Sequence, residues 1–265
     1  MDLFQEILEL DAAYLETFST RIQRSWGSLY FNEQQANYYD ANHAHISEAS
    51  EHPQQIIDEV VSFYKSRGIV PRFYIYNLEL QQELIRVLTD NLFQQEELIS
   101  PVQLWNRQLS DMSLGTGNTI ETVTQANVQD ALDIECGIKE FGGREVVEKT
   151  FMTQFNHPSF THYLLRHDGI PASTACLMRH HNQARIESVA TREAYRGKGL
   201  VGELIRFIQK EAMEHGHQKL WVFPINESVE KIYQKYGFQT IDRLRTVHAF
   251  TSGRSIREIH GNESK

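Results

Sequence analysis

Arg196-Gly197-Lys198-Gly199-Leu200-Val201-Gly202 is the stretch on which the fold turns. Upstream of it, residues 184–190 (A-R-I-E-S-V-A) read as a strand. Downstream, Val201, Leu204, Ile205, Ile208 and Ala212 fall on one apolar stripe and predict a helix over residues 199–215. Glycines let a backbone turn tightly and bring its N–H groups up to a ligand. The first-turn amides and the dipole of the helix favour an anion at the same point. Arg196 and Lys198 add positive charge. A phosphate or pyrophosphate is the natural occupant; the plainer alternative is a glycine-rich loop that only makes a tight turn.

Outward from this loop, residues 119–124 predict a strand, and residues 128–141 and 145–155 predict helices. A hairpin of residues 159–166 and 172–180 turns at Asp168-Gly169. Leu220-Trp221-Val222-Phe223 reads as a short buried strand, followed by a helix over residues 227–236 that Gly237 ends. Strands over residues 238–241 and 245–250 close this part. In the N-terminal part, Ile57, Val60, Val61 and Tyr64 mark a helix over residues 53–68. Phe73-Tyr74-Ile75-Tyr76 follows as a strand, then a helix over residues 80–91 and a strand over residues 98–105. Of fifteen glycines only Gly27 and Gly68 precede Gly115, and the small polar stretch of residues 113–119 reads as a linker. The expected domains are therefore residues 1–114 and 118–265.

Of the 265 residues, 40% are hydrophobic and 23% charged, which supports a buried core and excludes collagen-like, coiled-coil and disordered classes. The formal charge of −9 argues against nucleic acid and anionic membranes as partners and tilts toward a cationic one. Cys136 and Cys176 are too few for a disulfide scaffold, no secretion signal opens the sequence, and no apolar run spans a membrane. The expectation is a soluble, cytoplasmic protein. No metal is expected: His43-x-His45 and His215-x-His217 lack any accompanying ligand set and read as solvated histidines.

Two phosphate-loop readings compete. Gly197-x-Gly199-x-x-Gly202 is formally the G-x-G-x-x-G of a dinucleotide fold, but there the first glycine follows its strand directly, and here about six residues intervene. Residues 119–250 instead resemble the GNAT superfamily of acyl-CoA-dependent N-acyltransferases. Its R/Q-x-x-G-x-G/A signature is matched by Arg196 and Gly199, with Val201 standing where a small residue is usual. A second block, residues 226–238 (N-E-S-V-E-K-I-Y-Q-K-Y-G-F), is similar to the family's N-x-x-A-x-x-x-Y-x-x-x-G-F, with Val229 in place of alanine.

The resemblance implies an α/β (α+β) fold, a mixed central sheet flanked by helices, preceded by a smaller α/β domain that resembles a degenerate unit of the same kind. It implies acetyl-CoA as co-substrate and a primary amine of a small molecule or peptide as acceptor. The pantetheine arm would pair with Val189, Ala190 and Thr191. Arg196, Gly197, Lys198, Gly199, Leu200, Val201 and Gly202 would receive the pyrophosphate. Tyr233 matches the tyrosine that protonates the departing sulfur, although it also belongs to an apolar stripe with Val229, Ile232 and Tyr236. Asn226 would cap its helix or touch the coenzyme. Glu187 stands where family members carry a basic carboxylate; an exposed strand glutamate is the bland reading, and His180 and His181 are the other candidate bases. The first domain has no phosphate loop. It would wall the acceptor pocket through Tyr38, Tyr39, Phe73 or Tyr74, or serve as a scaffold or homodimer surface. The alternative from another class is a non-catalytic acyl-CoA-binding or regulatory module.

Overall fold

The computed structural model describes residues 3–49, 51–109, 113–138, 141 and 143–259. They form two compact units: residues 1–99 with 244–265, and residues 100–243.

The first unit contains α1 (Leu3–Leu15), β1 (Thr20–Arg24), β2 (Gly27–Phe31), β3 (His43–Ile46), α2 (Pro53–Lys65), β4 (Arg72–Ile75), α3 (Gln82–Asp90) and the first part of β5 (Gln94–Trp105). β1, β2 and β3 are antiparallel; α2 then returns the chain so that β4 runs parallel to β3. Proline opens α2, where its missing N–H costs nothing. Ile57, Val60 and Tyr64 of that helix pack with Leu84 and Leu88 of α3 on Leu29, Ala44, Ile46, Phe73 and Ile75. Full burial of each such aliphatic side chain stabilises by about 1.5–3 kcal/mol. The β3–β4 ladder is closed at its end, where Tyr76 N–H donates to the Ile46 carbonyl at 2.8 Å.

His43 and His45 correct the expectation of solvated histidines. They are 3% and 5% exposed, and burial pushes both down to about 3, so they are neutral core rings. His45 stacks on Tyr76 with ring centroids 4.2 Å apart. His217 is buried as well.

The second unit continues with β6 (Asn118–Thr122), α4 (Val128–Cys136), α5 (Arg144–Phe155), β7 (Phe160–His167), β8 (Ile170–His180), β9 (Gln183–Thr191), α6 (Leu200–Glu214), β10 (Lys219–Val222), α7 (Glu227–Gln234) and β11 (Phe238–Phe250). Its strand order is β11-β5-β10-β9-β8-β7-β6. β7, β8 and β9 are antiparallel and α6 returns the chain to a parallel β10, the same sequence of moves as in the first unit. One face packs the α6 stripe (Leu204, Ile205, Ile208, Ala212) on Leu165, Ala175, Leu177, Ala184 and Ile186. The other packs Ala131 and Ile134 of α4 and Val147 and Phe151 of α5 on Leu164 and Ala190.

Two elements differ from the sequence reading. Residues 238–250 are one strand, not two, and the polar Asp242 and Arg243 lie on its exposed stretch. Its last residues, Val247 to Phe250, pair with β4 and so belong to the first unit. Residues 115–119 belong to the second unit: Asn118 N–H donates to the Gly115 carbonyl and Asp168 N–H to that of Gly117, at 3.0 and 2.8 Å.

Candidate active site

The site is built on a defect in β9. Thr174 pairs with Ala190 and Cys176 with Glu187, so Ala175 alone faces both Ser188 and Val189. This is a β-bulge, and Ser188 accordingly takes a left-handed φ of 50°. A bulge bends its strand. On the opposite edge, β10 keeps register with β9 only from Lys219↔Gln183 to Trp221↔Arg185, while on its other side Trp221 and Val222 pair with Leu104 and Gln103 of β5. Pro224 follows and has no N–H to extend a ladder. Residues 186–191 of β9 thus have no strand partner on that edge among the described residues. Val189, Ala190 and Thr191 lie in this unpaired run. Ser173 pins its end, its hydroxyl lying 2.7 Å from both the Ala190 carbonyl and the Thr191 hydroxyl.

The loop follows directly. A short turn, Glu193–Tyr195, leads to Gly197 and Gly199 at φ of 78° and 81°. The amides of residues 197–201 have no acceptor among the described residues, whereas those of Gly202 and Glu203 bond to the Gly199 carbonyl. A side chain placed at Gly197 or Gly199 would meet nothing within 4 Å, so the loop faces open space. Unpaired N–H groups at the start of a 15-residue helix make an anion cradle. Arg196 and Lys198 are exposed at it, and the Arg196 Nε lies 3.4 Å from the Thr191 carbonyl. Leu200 is buried and Val201 half-buried on the core. Gly202 has a second reason to be small, since a methyl group there would overlap the Tyr236 hydroxyl.

Asn226 caps α7: its Oδ1 accepts from the Val229 amide at 3.0 Å. Tyr233, on that helix, is 5% exposed and meets Phe238 edge-on at 5.5 Å. Burial raises its phenol, and the hydroxyl has no hydrogen-bond partner among the described residues. Glu187 is ion-paired with Arg185, two residues back on the same face of β9, and the Arg185 guanidinium lies 4.5 Å from the Phe223 ring centre. His180 and His181 sit at the β8–β9 turn, the end of β9 remote from the loop; across a strand of nine residues this is roughly 25 Å.

Glu203, Asn118 and His167 escaped the sequence reading: Glu203 directly follows the loop, Asn118 bonds to Glu203, and His167 lies beside Lys198. Asn118 and Glu203 are 85 residues apart, and no local pattern pairs them.

The second unit is thus a mixed sheet with a parted parallel pair that opens onto an amide cradle. Residues 129–238 match the model of the acetyltransferase (GNAT) family. The fold is similar to that of a GCN5-related N-acetyltransferase from Kribbella flavida, with a TM-score of 0.70 and 17% identity over 97% of this chain and 99% of that one. A functionally unknown conserved protein from Staphylococcus epidermidis gives 0.68 and 12% over 89% and 95%. A tandem GNAT protein from the clavulanic acid biosynthesis pathway gives 0.59 and 10% over 80% and 76%, in keeping with an extra N-terminal α/β unit. No curated protein matches the sequence. No helix among the described residues is long and apolar enough to cross a membrane.

Proposed function

We propose that the second unit transfers an acetyl group from acetyl-CoA to the primary amine of a small molecule or peptide, by direct attack within a ternary complex. The observation that carries this reading is the unpaired run of β9 ending at the amide cradle. An extended arm with its own amides can add to that edge as a strand would, held by the backbone of Val189, Ala190 and Thr191. Its pyrophosphate then falls on the loop from Arg196 to Gly202, where five free N–H groups and two cationic side chains neutralise it.

The chemistry follows from that pose. The thioester carbonyl lies by the Val189 N–H, which stabilises the oxyanion as the amine nitrogen attacks. The C–N bond forms, the C–S bond breaks, the departing thiolate takes a proton from Tyr233, and the proton shed by the newly bonded nitrogen restores the tyrosine. Burial holds that phenol protonated, and in the same apolar surroundings the thiolate is a stronger base than in water. Glu187, ion-paired with Arg185, orients the acceptor ammonium, takes its proton and passes it to water. No thiol competes as a nucleophile for a covalent route. Cys176 is fully buried and its thiol is pushed well up, and the Cys136 thiol is raised by burial at the end of α4. The net charge of −9 favours a cationic acceptor.

Thiol release from acetyl-CoA, followed with a panel of small amines, amino-acid amides and short peptides, tests the reading. Amine-dependent release with intersecting double-reciprocal plots is expected. Parallel plots would replace direct attack by an acetyl-enzyme, and coenzyme binding without release for any amine would leave a binding module.

A further inference from the structure

Lys198 ends on a chain of three side chains that the loop motif does not contain. Glu203, in the first turn of α6, is 7% exposed, and its two carboxylate oxygens lie 2.9 and 3.0 Å from Asn118 Nδ2. That contact fixes the amide, because the reversed amide would set its oxygen against a carboxylate. Asn118 Oδ1 is thereby turned to His167 Nδ1 at 2.6 Å. An amide oxygen only accepts, so Nδ1 carries the imidazole proton. The neutral ring then has its lone pair on Nε2, and Nε2 lies 3.3 Å from Lys198 Nζ. Tyr195 flanks the pair, 5.2 Å from the ammonium and edge-to-face with His167 at 5.8 Å. Among the described residues, the exposed Asp168 carboxylate also lies beside the ring, 3.9 Å from Nε2.

We propose that Glu203, Asn118 and His167 form a positioning relay that holds Lys198 at the amide cradle, so that the coenzyme's phosphates meet a lysine already in place. The inference rests on the loop being the phosphate site. A free lysine side chain surrenders its rotamer freedom when it binds an anion, and one held in advance gives up less. The relay starts on the helix that supplies the amides, so donor groups and lysine keep one geometry. None of the three relay residues touches the coenzyme; His167 acts through Lys198.

Two measurements test it. Long-range 1H–15N spectra of the free protein at pH 8 should show His167 as the Nδ1–H tautomer; an Nε2–H ring overturns the relay whether or not coenzyme binds. Calorimetric titration with acetyl-CoA then compares wild type, Lys198→Met, His167→Phe and the double variant. Phenylalanine keeps the ring edge on Tyr195 and removes the lone pair. Each single change should weaken binding about five- to tenfold, and the double change no more than the larger single one. His167→Gln, which accepts from lysine through Oε1, should recover most of the loss, a result that a purely structural role would not give. A double variant whose loss is the product of the single losses, or no loss on Lys198→Met, refutes the relay while leaving acetyl-CoA binding intact. A wild-type protein that binds no acetyl-CoA removes the loop reading itself, and the relay's purpose with it.

Discussion

The Gly199→Asp variant is expected to lose acetyl-CoA binding while remaining folded. Gly199 holds φ 81° and ψ 1°, a left-handed conformation that costs an L-residue about 1–2 kcal/mol. Aspartate tolerates that region better than most residues. Space is not the obstacle, because nothing lies within 4 Å of the added Cβ. The residue is also the N-cap of α6, a position where a carboxylate stabilises a helix. What the change destroys is the cradle. A fixed negative charge would take up the amides of residues 197–201 and repel a pyrophosphate in the same place. A weakening of 100-fold or more, about 3 kcal/mol, is expected by calorimetry, with an unfolding midpoint near that of the wild type as the folding control. Affinity retained within a few-fold in a folded variant would show that the coenzyme's phosphates lie elsewhere.

Tyr233→Phe should act on the other half of the reaction. The ring stays against Phe238, and the lost hydroxyl leaves no orphaned partner because it has none among the described residues. Stability and acetyl-CoA affinity should change little. A positioned general acid contributes about 10²–10⁴-fold, so kcat should fall by at least about 100-fold. The sign of the pH dependence follows from burial: a raised phenol stays protonated throughout the neutral range, so its titration adds no alkaline loss of rate there. Single-turnover measurement with saturating acetyl-CoA isolates the step. An unchanged kcat would make Tyr233 a core residue of the stripe and nothing more.

The parts of this protein that can be read from the sequence are those whose cause is local. The α6 stripe, the turn into it and the Asn226 cap all depend on residues within a few positions of one another. The helix that Asn226 begins and the strand that carries Glu187 were legible for the same reason. What was illegible is non-local. The last strand joins β4 through pairs such as Val247 with Ile75, which no composition shift announces, so the division between the units falls at residues 99/100 and 243/244 instead of near residue 115. The small polar stretch around Gly115 looks like a linker because glycine and threonine suit one, yet it carries Asn118 to Glu203. The Arg185–Glu187 pair was within reach, since residues two apart on a strand share a face. His43 and His45 show the opposite limit: strand periodicity places both on one face, but only the packing of the first unit decides that this face is sealed.

The most direct measurement is a calorimetric titration of the wild-type protein with acetyl-CoA, beside NAD as a control. Micromolar binding of acetyl-CoA and none of NAD is the expected result, since an open strand edge leading into an amide cradle suits an extended arm with a pyrophosphate at its end. Binding of NAD alone, or of neither, would contradict the assignment of the cleft and its loop to a coenzyme A thioester.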